Sequence, residues 1–529
     1  MDDRETAPPP TTDVLVIGSG AAGLSAALAA AVGGARVVLL EAADRWGGTT
    51  GVSGGQAWIP GHHHGPAEDP DDVLAYLLAH TAGRDPELLR AFVFAAPRMA
   101  AFVERFSPVR WQPMSAPDSF ADGRSGRNLD VAPVATGELG PWAEIGWPPP
   151  YPPLLTNAEV ERLGLMIGGE LPAELLARRA AAGEVALGAG LVVGLLHGCR
   201  TAGVSLHRGR RVTGLLRRAH GGVAGVRTPA GDVRATRGVV LACGGFEHDP
   251  RLGPDLLGPA ARNPVSPPVN TGDALRLATA VGAAPAHLDE SWGWPVLADP
   301  YAHWPGSDVA RPALVIAERM LPGVIWVNAA GRRFVDESSH NCALALTGTD
   351  PATGRPRNQP AWAIADAGYR ERYPLAGVAP GTPLPPWVRT ADTLADLAVA
   401  TGIDADGLVT TVARFNAGAA AGTDPDFGRG TTPYDRAGGD PTAPHPNLGP
   451  LARGPFHAVP VHVGTVGTKG GPRTDASARV LDRDDQPVPG LYAAGNAMAA
   501  VIGPGTVSPG ATIGSALTWG WIAGSDLGG

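Results

Sequence analysis

The sequence is poor in several residue types, and each scarcity excludes a class of protein. Among 529 residues there are three cysteines, Cys199, Cys243 and Cys342, too few and too scattered for a disulfide framework or a zinc site. We therefore expect a reducing, cytoplasmic location. Lysine occurs once, at Lys469, and the net charge is −9. The chain therefore has no general attraction for nucleic acid, whose phosphates need clustered cations.

Long apolar runs are also missing. No stretch reaches the roughly 18 uninterrupted apolar residues of a membrane span, so we expect no transmembrane segment. The first ten residues carry acidic side chains and lack the basic-then-apolar order of a signal peptide, so residues 1–10 are expected to be a disordered tail. A hydrophobic content of 44% against 18% charged residues still predicts a globular chain, because that much apolar surface can offset the entropy of ordering the backbone.

The chain opens with the pattern of a βαβ unit. A β-branched run at 12–17 ends in glycines, an Ala-rich helical segment follows, and a second apolar strand ends at Glu41. Between strand and helix stand Gly18, Gly20 and Gly23 in the spacing of a dinucleotide-binding turn. Such glycines provide the tight turn, the close approach of backbone to a pyrophosphate, and close helix–strand packing. The carboxylate of Glu41 is placed to accept ribose hydroxyl groups.

Further glycine-rich strings point to a flavin. The string 45–50 (Arg-Trp-Gly-Gly-Thr-Thr), followed by Ser53-Gly54-Gly55, lies shortly after Glu41, and a strand at the C-terminal end runs into Gly495-Asn496. Glycine at such places lets backbone amides reach a phosphate or an isoalloxazine ring. In between, 107–153 shows little periodicity and is predicted to be an irregular loop, whereas the Trp- and Pro-rich stretch from about 289 to 463 is predicted to be an inserted cap.

Landmarks in order along nearly the whole chain carry a family resemblance. They include Asn270-Thr271-Gly272-Asp273, Gly331–Ser338, Gly467–Gly471 and Gly510–Gly514. The chain resembles the flavoproteins typified by 3-ketosteroid Δ1-dehydrogenases and, more distantly, the soluble fumarate reductases. The resemblance implies an α/β fold in which a Rossmann-type FAD-binding domain of the GR2-like type carries an inserted α+β cap, and it implies a non-covalent FAD.

The resemblance also implies domain boundaries and cofactor contacts. The FAD-binding domain is expected over 11–290 and 464–529, and the substrate-binding cap over 291–463. The residues that we expect to contact FAD are Gly18, Gly20, Ala22, Gly23, Glu41, Ala42, Gly48, Thr49, Thr50, Ser53, Gly54, Gly55, Val212, Ala242, Gly244, Asp273, Gly495, Asn496, Ala511 and Ile513.

The catalytic residues that the resemblance implies are only partly present. In the steroid enzymes a substrate carbon gives a hydride to flavin N5, one tyrosine takes a proton from the neighbouring carbon, and a second tyrosine with a backbone N–H polarises the carbonyl. Here the backbone donor, Gly510, is kept. Asn341, Thr506 and the Ser119-Phe120 pair stand where three tyrosines are expected. We therefore expect an apolar cyclic ketone or enone other than a standard 3-ketosteroid.

Replacement acid–base groups must come from the same pocket. His340, whose ordinary pKa is near neutral, is the first candidate for proton transfer, with Asn341 positioning the substrate and Asp118 as a further candidate. His303 and Tyr301 have less support. A fumarate-type dicarboxylate substrate is disfavoured, because no histidine or arginine clamp stands at 466–469 or 508–510.

Several functional alternatives stay open at this point. The first is a dehydrogenase, or an enzyme that catalyses the reverse reaction. The others are a flavin-dependent isomerase or tailoring enzyme, a steroid dehydrogenase with a rebuilt site, and an inactive flavin-binding protein. No second nucleotide fingerprint supports an NAD(P) site, and quinone, oxygen and a carrier protein all remain open as electron acceptor.

Two further groups carry weaker signals. The run His62-His63-His64 is expected to be a solvated loop without a metal, since adjacent histidines do not share a face and no carboxylate stands at metal-site spacing. The tryptophans Trp292, Trp294, Trp304 and Trp326 could line a flat apolar slot or fill the core of the cap.

Overall fold

The structure is a computed structural model that describes residues 7–219 and 221–529. Residues 1–6 of the predicted tail lie outside the described part, and Pro10 is already tied down, since its carbonyl accepts the N–H of Arg234 at 2.9 Å. The strands are β1 Thr11–Ile17, β2 Val37–Leu40, β3 Ala57–Trp58, β4 Trp111–Met114, β5 Asn128–Val131, β6 Val134–Ala135, β7 Glu184–Val185, β8 Ser205–His207, β9 Gly214–Arg217, β10 Val223–Thr228, β11 Gly231–Leu241, β12 Pro285–Ala286, β13 Ser291–Leu297, β14 Ala313–Leu314, β15 Val324–Asn328, β16 Ala361–Ala365, β17 Arg389–Ala391, β18 Phe456–Thr468, β19 Gly471–Pro472, β20 Arg479–Leu481 and β21 Pro487–Ala493.

Helices alternate with these strands through most of the chain. The α-helices are α1 Ala21–Val32, α2 Gly48–Val52, α3 Pro70–His80, α4 Pro86–Phe106, α5 Trp142–Ile145, α6 Asn157–Arg162, α7 Ala173–Ala181, α8 Leu187–Thr201, α9 Asp273–Thr279, α10 Leu344–Thr347, α11 Ala367–Arg372, α12 Leu394–Thr401, α13 Ala405–Ala420, α14 Pro433–Ala437 and α15 Ala511–Gly528. Helices α3 and α4 begin in the same way: Asp69 and Asp85 accept a backbone N–H at the N-cap, and proline follows at the first helical position. Within the described part of the chain, no helix is both long and apolar enough to cross a bilayer.

The main sheet has eight strands in the order β20-β21-β11-β1-β2-β8, with β10 and β9 added beside β11. Strands β21, β11, β1, β2 and β8 run parallel to one another, whereas β20 and β10 are antiparallel to β21 and β11. The βαβ unit predicted from the sequence is confirmed as β1-α1-β2. The buried residues of these strands pack with helices α1, α8 and α15 into the largest apolar core.

A second sheet forms the cap, in the order β14-β13-β18-β16-β15 with β17 on β18. One face of this sheet packs into a core around Trp326, and the other packs against α12 and α13. The fold class predicted from the sequence is confirmed. Strand β18 runs from Phe456 to Thr468, past residue 463, where the cap was expected to end.

The prediction of an irregular loop at 107–153 is wrong, because this segment contains the strands β4, β5 and β6 and the short helix α5. The sequence pattern did not indicate strand β5, because the buried residues of this strand include polar ones. Asn128 donates to Ser508 Oγ at 3.1 Å, and the carboxylate of Asp130 accepts from Asn157 and from the N–H of Ala158. Because these polar side chains are hydrogen-bonded, they can be buried at little cost in free energy. The segment therefore lacks the alternating apolar pattern that predicts a strand.

Candidate functional site: a dinucleotide crevice and a polar cluster around His340

The carboxyl ends of four parallel strands meet at one edge of the main sheet. Strand β1 pairs with β2 on one side and β11 on the other, which makes it a topological switch point, where open α/β sheets bind ligands. The predicted cofactor residues that follow these strands therefore lie along one edge: Gly18, Gly20, Ala22 and Gly23 after β1, Glu41 and Ala42 after β2, Ala242 and Gly244 after β11, and Gly495 and Asn496 after β21.

The first glycine turn has the geometry that phosphate binding needs. Gly18 has φ +104°, and a Cβ there would lie 2.4 Å from the carbonyl oxygen of Ala242. A Cβ on Gly23 would lie 1.9 Å from the carbonyl oxygen of Gly18, so helix and strand approach closely. At Gly20 the nearest atom would be Thr50 Oγ1 at 3.6 Å. This open space at the N-terminus of α1 is a cradle that fits a pyrophosphate.

Glu41 is fixed beside this turn. Its Oε2 accepts the N–H of Ser19 at 2.9 Å and the hydroxyl of Ser19 at 2.7 Å, and its Oε1 accepts the N–H of Ala43 at 2.9 Å. Burial raises the pKa of Glu41, and these hydrogen bonds oppose the rise. The carboxylate is thus pre-oriented at the end of β2, as expected for a ribose ligand.

The second glycine string forms α2 and is tied to its surroundings. Thr50 Oγ1 accepts the N–H of Ala21 at 3.0 Å, and Thr49 Oγ1 accepts from Asn270 Nδ2 at 3.0 Å. A Cβ on Gly48 would meet no atom within 4 Å. The other predicted members of this group, Ser53, Gly54 and Gly55, lie directly after α2.

The remaining predicted cofactor residues lie in several different environments. Val212 is buried in the core. Asp273, in the first turn of α9, is paired with Arg211. Ala511 and Ile513 lie in the first turn of α15, and Ala511 is buried.

Two buried polar atoms were missed by sequence reasoning. Glu247 Oε2 and Thr468 Oγ1 have no hydrogen-bond partner among the described residues. Both would contact a Cβ placed on Gly245, at the end of β11. Glu247 also accepts from Asn270 Nδ2 at 2.8 Å, the same amide that holds Thr49. Unpaired polar groups next to the glycine-lined crevice fit a polar ligand there, and the residues present therefore fit FAD.

Three segments far apart in sequence meet in a polar cluster, which we call the His340 pocket. Ser119 Oγ lies 2.6 Å from His340 Nδ1. Asn341 Nδ2 donates to the carbonyl of Thr506 at 2.9 Å, and the N–H of Thr506 donates to Asn341 Oδ1 at 2.7 Å. The N–H of Ser119 donates to the carbonyl of Val507 at 2.9 Å. The structure thus brings together the positions where the family resemblance expects tyrosines.

His340 is enclosed by aromatic rings. Its ring stacks on Tyr434 with centroids 4.9 Å apart and meets the edge of Trp294 at 5.2 Å. Burial, with the nearby Arg319 guanidinium, lowers the pKa of His340 to about 3, so the imidazole is neutral near pH 7. Tyr434 and Arg319 were not anticipated, since both come close to His340 only through folding of the cap.

The motif Asp336-Glu337-Ser338 anchors the segment that carries His340. Glu337 is fully buried and accepts from both Arg333 and Arg429. Arg333 also forms hydrogen bonds with Asp424 at 2.8 and 2.9 Å. The motif therefore serves a buried ion network that fixes the backbone next to the pocket.

Two predicted site residues, Asp118 and Asn341, have their polar side-chain groups hydrogen-bonded within the protein. The carboxylate of Asp118 is completely buried and accepts from Trp58 Nε1 at 2.8 Å, Arg127 Nη1 at 2.7 Å and the N–H of Arg124 at 3.1 Å. It therefore has little capacity left for proton transfer. Both the NH₂ group and the oxygen of the Asn341 amide are hydrogen-bonded to the backbone of Thr506. This side chain therefore shapes the pocket wall rather than binding substrate.

The less favoured candidates lie elsewhere. Tyr301 is 76% exposed, and His303 follows it in the same surface turn. Of the four tryptophans, Trp292, Trp304 and Trp326 are buried core residues, whereas half-buried Trp294 contacts His340.

The loop 503–510 connects the pocket to α15. Gly510, with φ +76°, has no room for a Cβ, which would lie 2.9 Å from Trp58 N and from the carbonyl of Gln56. Its carbonyl accepts the N–H of Trp58 at 3.0 Å, and its own N–H has no partner within the described part of the chain. At the other end of the loop, Lys469 Nζ donates to the carbonyls of Pro504 and Gly505, both at 2.6 Å.

A Rossmann-type crevice with an open glycine cradle and a fixed acidic residue defines a dinucleotide-dependent flavoprotein. The family model described as FAD binding domain matches residues 13–513, so the chain belongs to this family and binds FAD. Within it the chain is a member of the 3-ketosteroid Δ1-dehydrogenase-like group, and it is an FAD-dependent oxidoreductase acting on CH–CH groups.

Relatives and solved structures support this assignment along the whole chain. The 3-oxosteroid 1-dehydrogenase of Mycolicibacterium smegmatis is 36% identical and 97% of each chain is covered. The 4-oxocyclohexanecarboxylate 2-dehydrogenase of Sinomonas cyclohexanicum is 38% identical, with 99% of this chain and 94% of the relative covered. The crystal structure of the 3-ketosteroid Δ1-dehydrogenase of Sterolibacterium denitrificans with 1,4-androstadiene-3,17-dione is 31% identical, has a TM-score of 0.89, and covers 98% of this chain and all (100%) of that one.

Proposed function

We propose that this enzyme introduces or removes a C–C double bond next to the carbonyl of an apolar cyclic ketone other than a standard 3-ketosteroid. The observation that carries the proposal is the meeting of Ser119, His340, Asn341 and Thr506 in one pocket beside the FAD crevice. The cofactor site and Gly510, on which the ring-ketone chemistry of the relatives depends, are both present in this chain. The tyrosines that would serve a steroid in the related enzymes are replaced.

The chain's residues support a division of labour in this pocket. FAD, when bound, supplies a hydride acceptor or donor. The free N–H of Gly510 is a donor for the substrate carbonyl oxygen, which gains negative charge as the neighbouring carbon loses its proton. In the tautomer whose Nδ1–H donates to Ser119 Oγ, His340 has an unprotonated Nε2 that can receive this proton. The lowered pKa leaves the ring unprotonated at physiological pH, and it also makes the imidazole a weaker base than one that titrates near neutrality.

Thr506 has a smaller part than the resemblance suggests. Its hydroxyl donates to the carbonyl of Ser508 at 3.1 Å, and its N–H is occupied by Asn341. It fixes the shape of the loop and leaves polarisation of the carbonyl to Gly510.

The three cysteines are free thiols, which suits the reducing cytoplasm that we infer for this enzyme.

The direct test is an anaerobic titration of the holoenzyme, followed by its visible flavin band. The compounds are 4-oxocyclohexanecarboxylate, unsubstituted cyclohexanone, 4-androstene-3,17-dione and the corresponding enones with the chemically reduced enzyme. We expect a monocyclic ketone to bleach the flavin, or its enone to reoxidise it, and the steroid to do neither. Rapid bleaching by the steroid would show a rebuilt steroid site. A flavin that responds to no member of the panel contradicts the proposal.

A further inference from the structure

The histidine run 62–64 is only partly the solvated loop expected from the sequence, because His63 and His64 are exposed and His62 is not. His62 is buried, and its Nε2 lies 2.8 Å from the carbonyl oxygen of Gly126. Its Nδ1 accepts the N–H of His64 at 3.2 Å. This first histidine therefore anchors the loop after β3.

His63 and His64 converge on one carboxylate. Their rings are 4.1 Å apart between centroids, so these neighbours do share a face, contrary to the sequence expectation. His63 Nε2 lies 2.6 Å from Glu104 Oε2, and His64 Nε2 lies 3.0 Å from both oxygens of Glu104. The carboxylate that no sequence spacing indicated comes from the last turns of α4, 40 residues along the chain.

The carboxylate is held in place from the other side as well. Glu104 Oε1 accepts the N–H of Trp111, at the start of β4, at 2.9 Å. The carboxylate thus faces two imidazole nitrogens, and one ligand atom from each residue lies within 4.8 Å of the others.

We propose that His63, His64 and Glu104 form a binding site for a divalent transition-metal ion, with Zn²⁺ the best match. Two imidazole nitrogens and one carboxylate oxygen are a donor set that Zn²⁺ accepts in tetrahedral geometry, with water in the fourth position. The side chains of His63 and His64 are 44% and 30% exposed, so the ion has access from solvent. Mg²⁺ prefers oxygen ligands and is expected to bind poorly.

The position of the site gives the ion a structural role. It would join the loop after β3 to the end of α4, and Glu104 in turn to β4. Strand β3 carries Trp58, whose N–H and indole contact Gly510 and Asp118 respectively. The bound ion would therefore stiffen the layer behind the substrate pocket without touching substrate or flavin, and this inference does not depend on the proposed function.

The test is calorimetric titration of EDTA-treated, tag-free holoenzyme with Zn²⁺ and, separately, with Mg²⁺. We expect one equivalent of Zn²⁺ with a micromolar or lower Kd, no heat from Mg²⁺, and a Zn²⁺-dependent rise in Tm. The double variant His63→Gln/His64→Gln should weaken binding at least about tenfold and abolish the rise in Tm. His80→Gln is the matched control, because His80 pairs with Asp122 at 2.8 Å without a second histidine.

Each other outcome contradicts the proposal. Zn²⁺ binding of unchanged affinity in the double variant places the ion elsewhere. Absence of saturable Zn²⁺ binding to the wild-type protein, with its flavin spectrum intact, leaves the three side chains as a hydrogen-bonded cluster. A double variant that fails to fold would be replaced by Glu104→Gln, for which we expect the same loss of Zn²⁺ affinity.

Discussion

The single lysine of the chain offers the sharpest test of how the pocket is held. Lys469 is completely buried, donates to the carbonyls of Pro504 and Gly505, and has its Nζ 4.1 Å from the ring centroid of Trp292. Replacing it with methionine keeps the apolar stem and removes both donors. The carbonyls at the start of the loop 503–510 are then left without these partners.

The expected magnitude comes from two opposing contributions. Each lost hydrogen bond to a buried carbonyl costs about 1–3 kcal/mol, and the contact with Trp292 adds roughly 1–2 kcal/mol. Burial lowers the pKa of Lys469 to about 7, so the charged amine also carries a desolvation cost that methionine removes. We expect Lys469→Met to lower the free energy of unfolding by about 2–3 kcal/mol, since the gain offsets only part of the loss.

The assay is denaturant unfolding combined with hydrogen exchange at the amide of Thr506, which donates to Asn341. Local release of the loop by about 2–3 kcal/mol corresponds to roughly 30- to 150-fold faster exchange in Lys469→Met. Arg473→Met is the control, because Arg473 is a half-exposed surface residue close in sequence whose ion partner is Asp485. Unchanged exchange at Thr506 in Lys469→Met would refute the idea that the lysine holds the loop.

Three further predictions concern His340 and the buried ion network that anchors its segment. His340→Gln should lower turnover by about 10²–10⁴ without loss of flavin, while the buried cap variant His457→Gln stays near wild-type activity; full activity of His340→Gln removes the proton-transfer role. Because the pKa of His340 falls from 6.5 to about 3 on folding, unfolded chains bind more protons between these values, so stability is lost as pH falls below 6.5. Denaturant unfolding should show this loss, at most about 1.4 kcal/mol per pH unit, to be smaller in His340→Gln. Arg429→Met should destabilise the cap by about 3–5 kcal/mol, since it leaves Glu337 with one buried cation, Arg333, instead of two; a change in Tm within error would contradict this.

Sequence reasoning predicted the cofactor half of the molecule well because its signals are local. The turn at Gly18, the helix α1 and the acidic residue Glu41 follow one another within a single βαβ unit, and each backbone requirement leaves a mark on residue type. Strand β5 and the buried network around Glu337 were not anticipated as structure, because buried polar residues give no periodic apolar pattern.

The substrate half was determined only by tertiary structure. Sequence placed Ser119, His340 and Thr506 in one pocket by resemblance, but their separations of 221 and 165 residues, from Ser119 to His340 and from Asn341 to Thr506, left every hydrogen bond undecided. The partners of Asp118 and the approach of Glu104 to the histidine loop were likewise invisible. Contacts of this kind arise when sheets and cap pack together, and packing depends on the whole chain rather than on any local spacing.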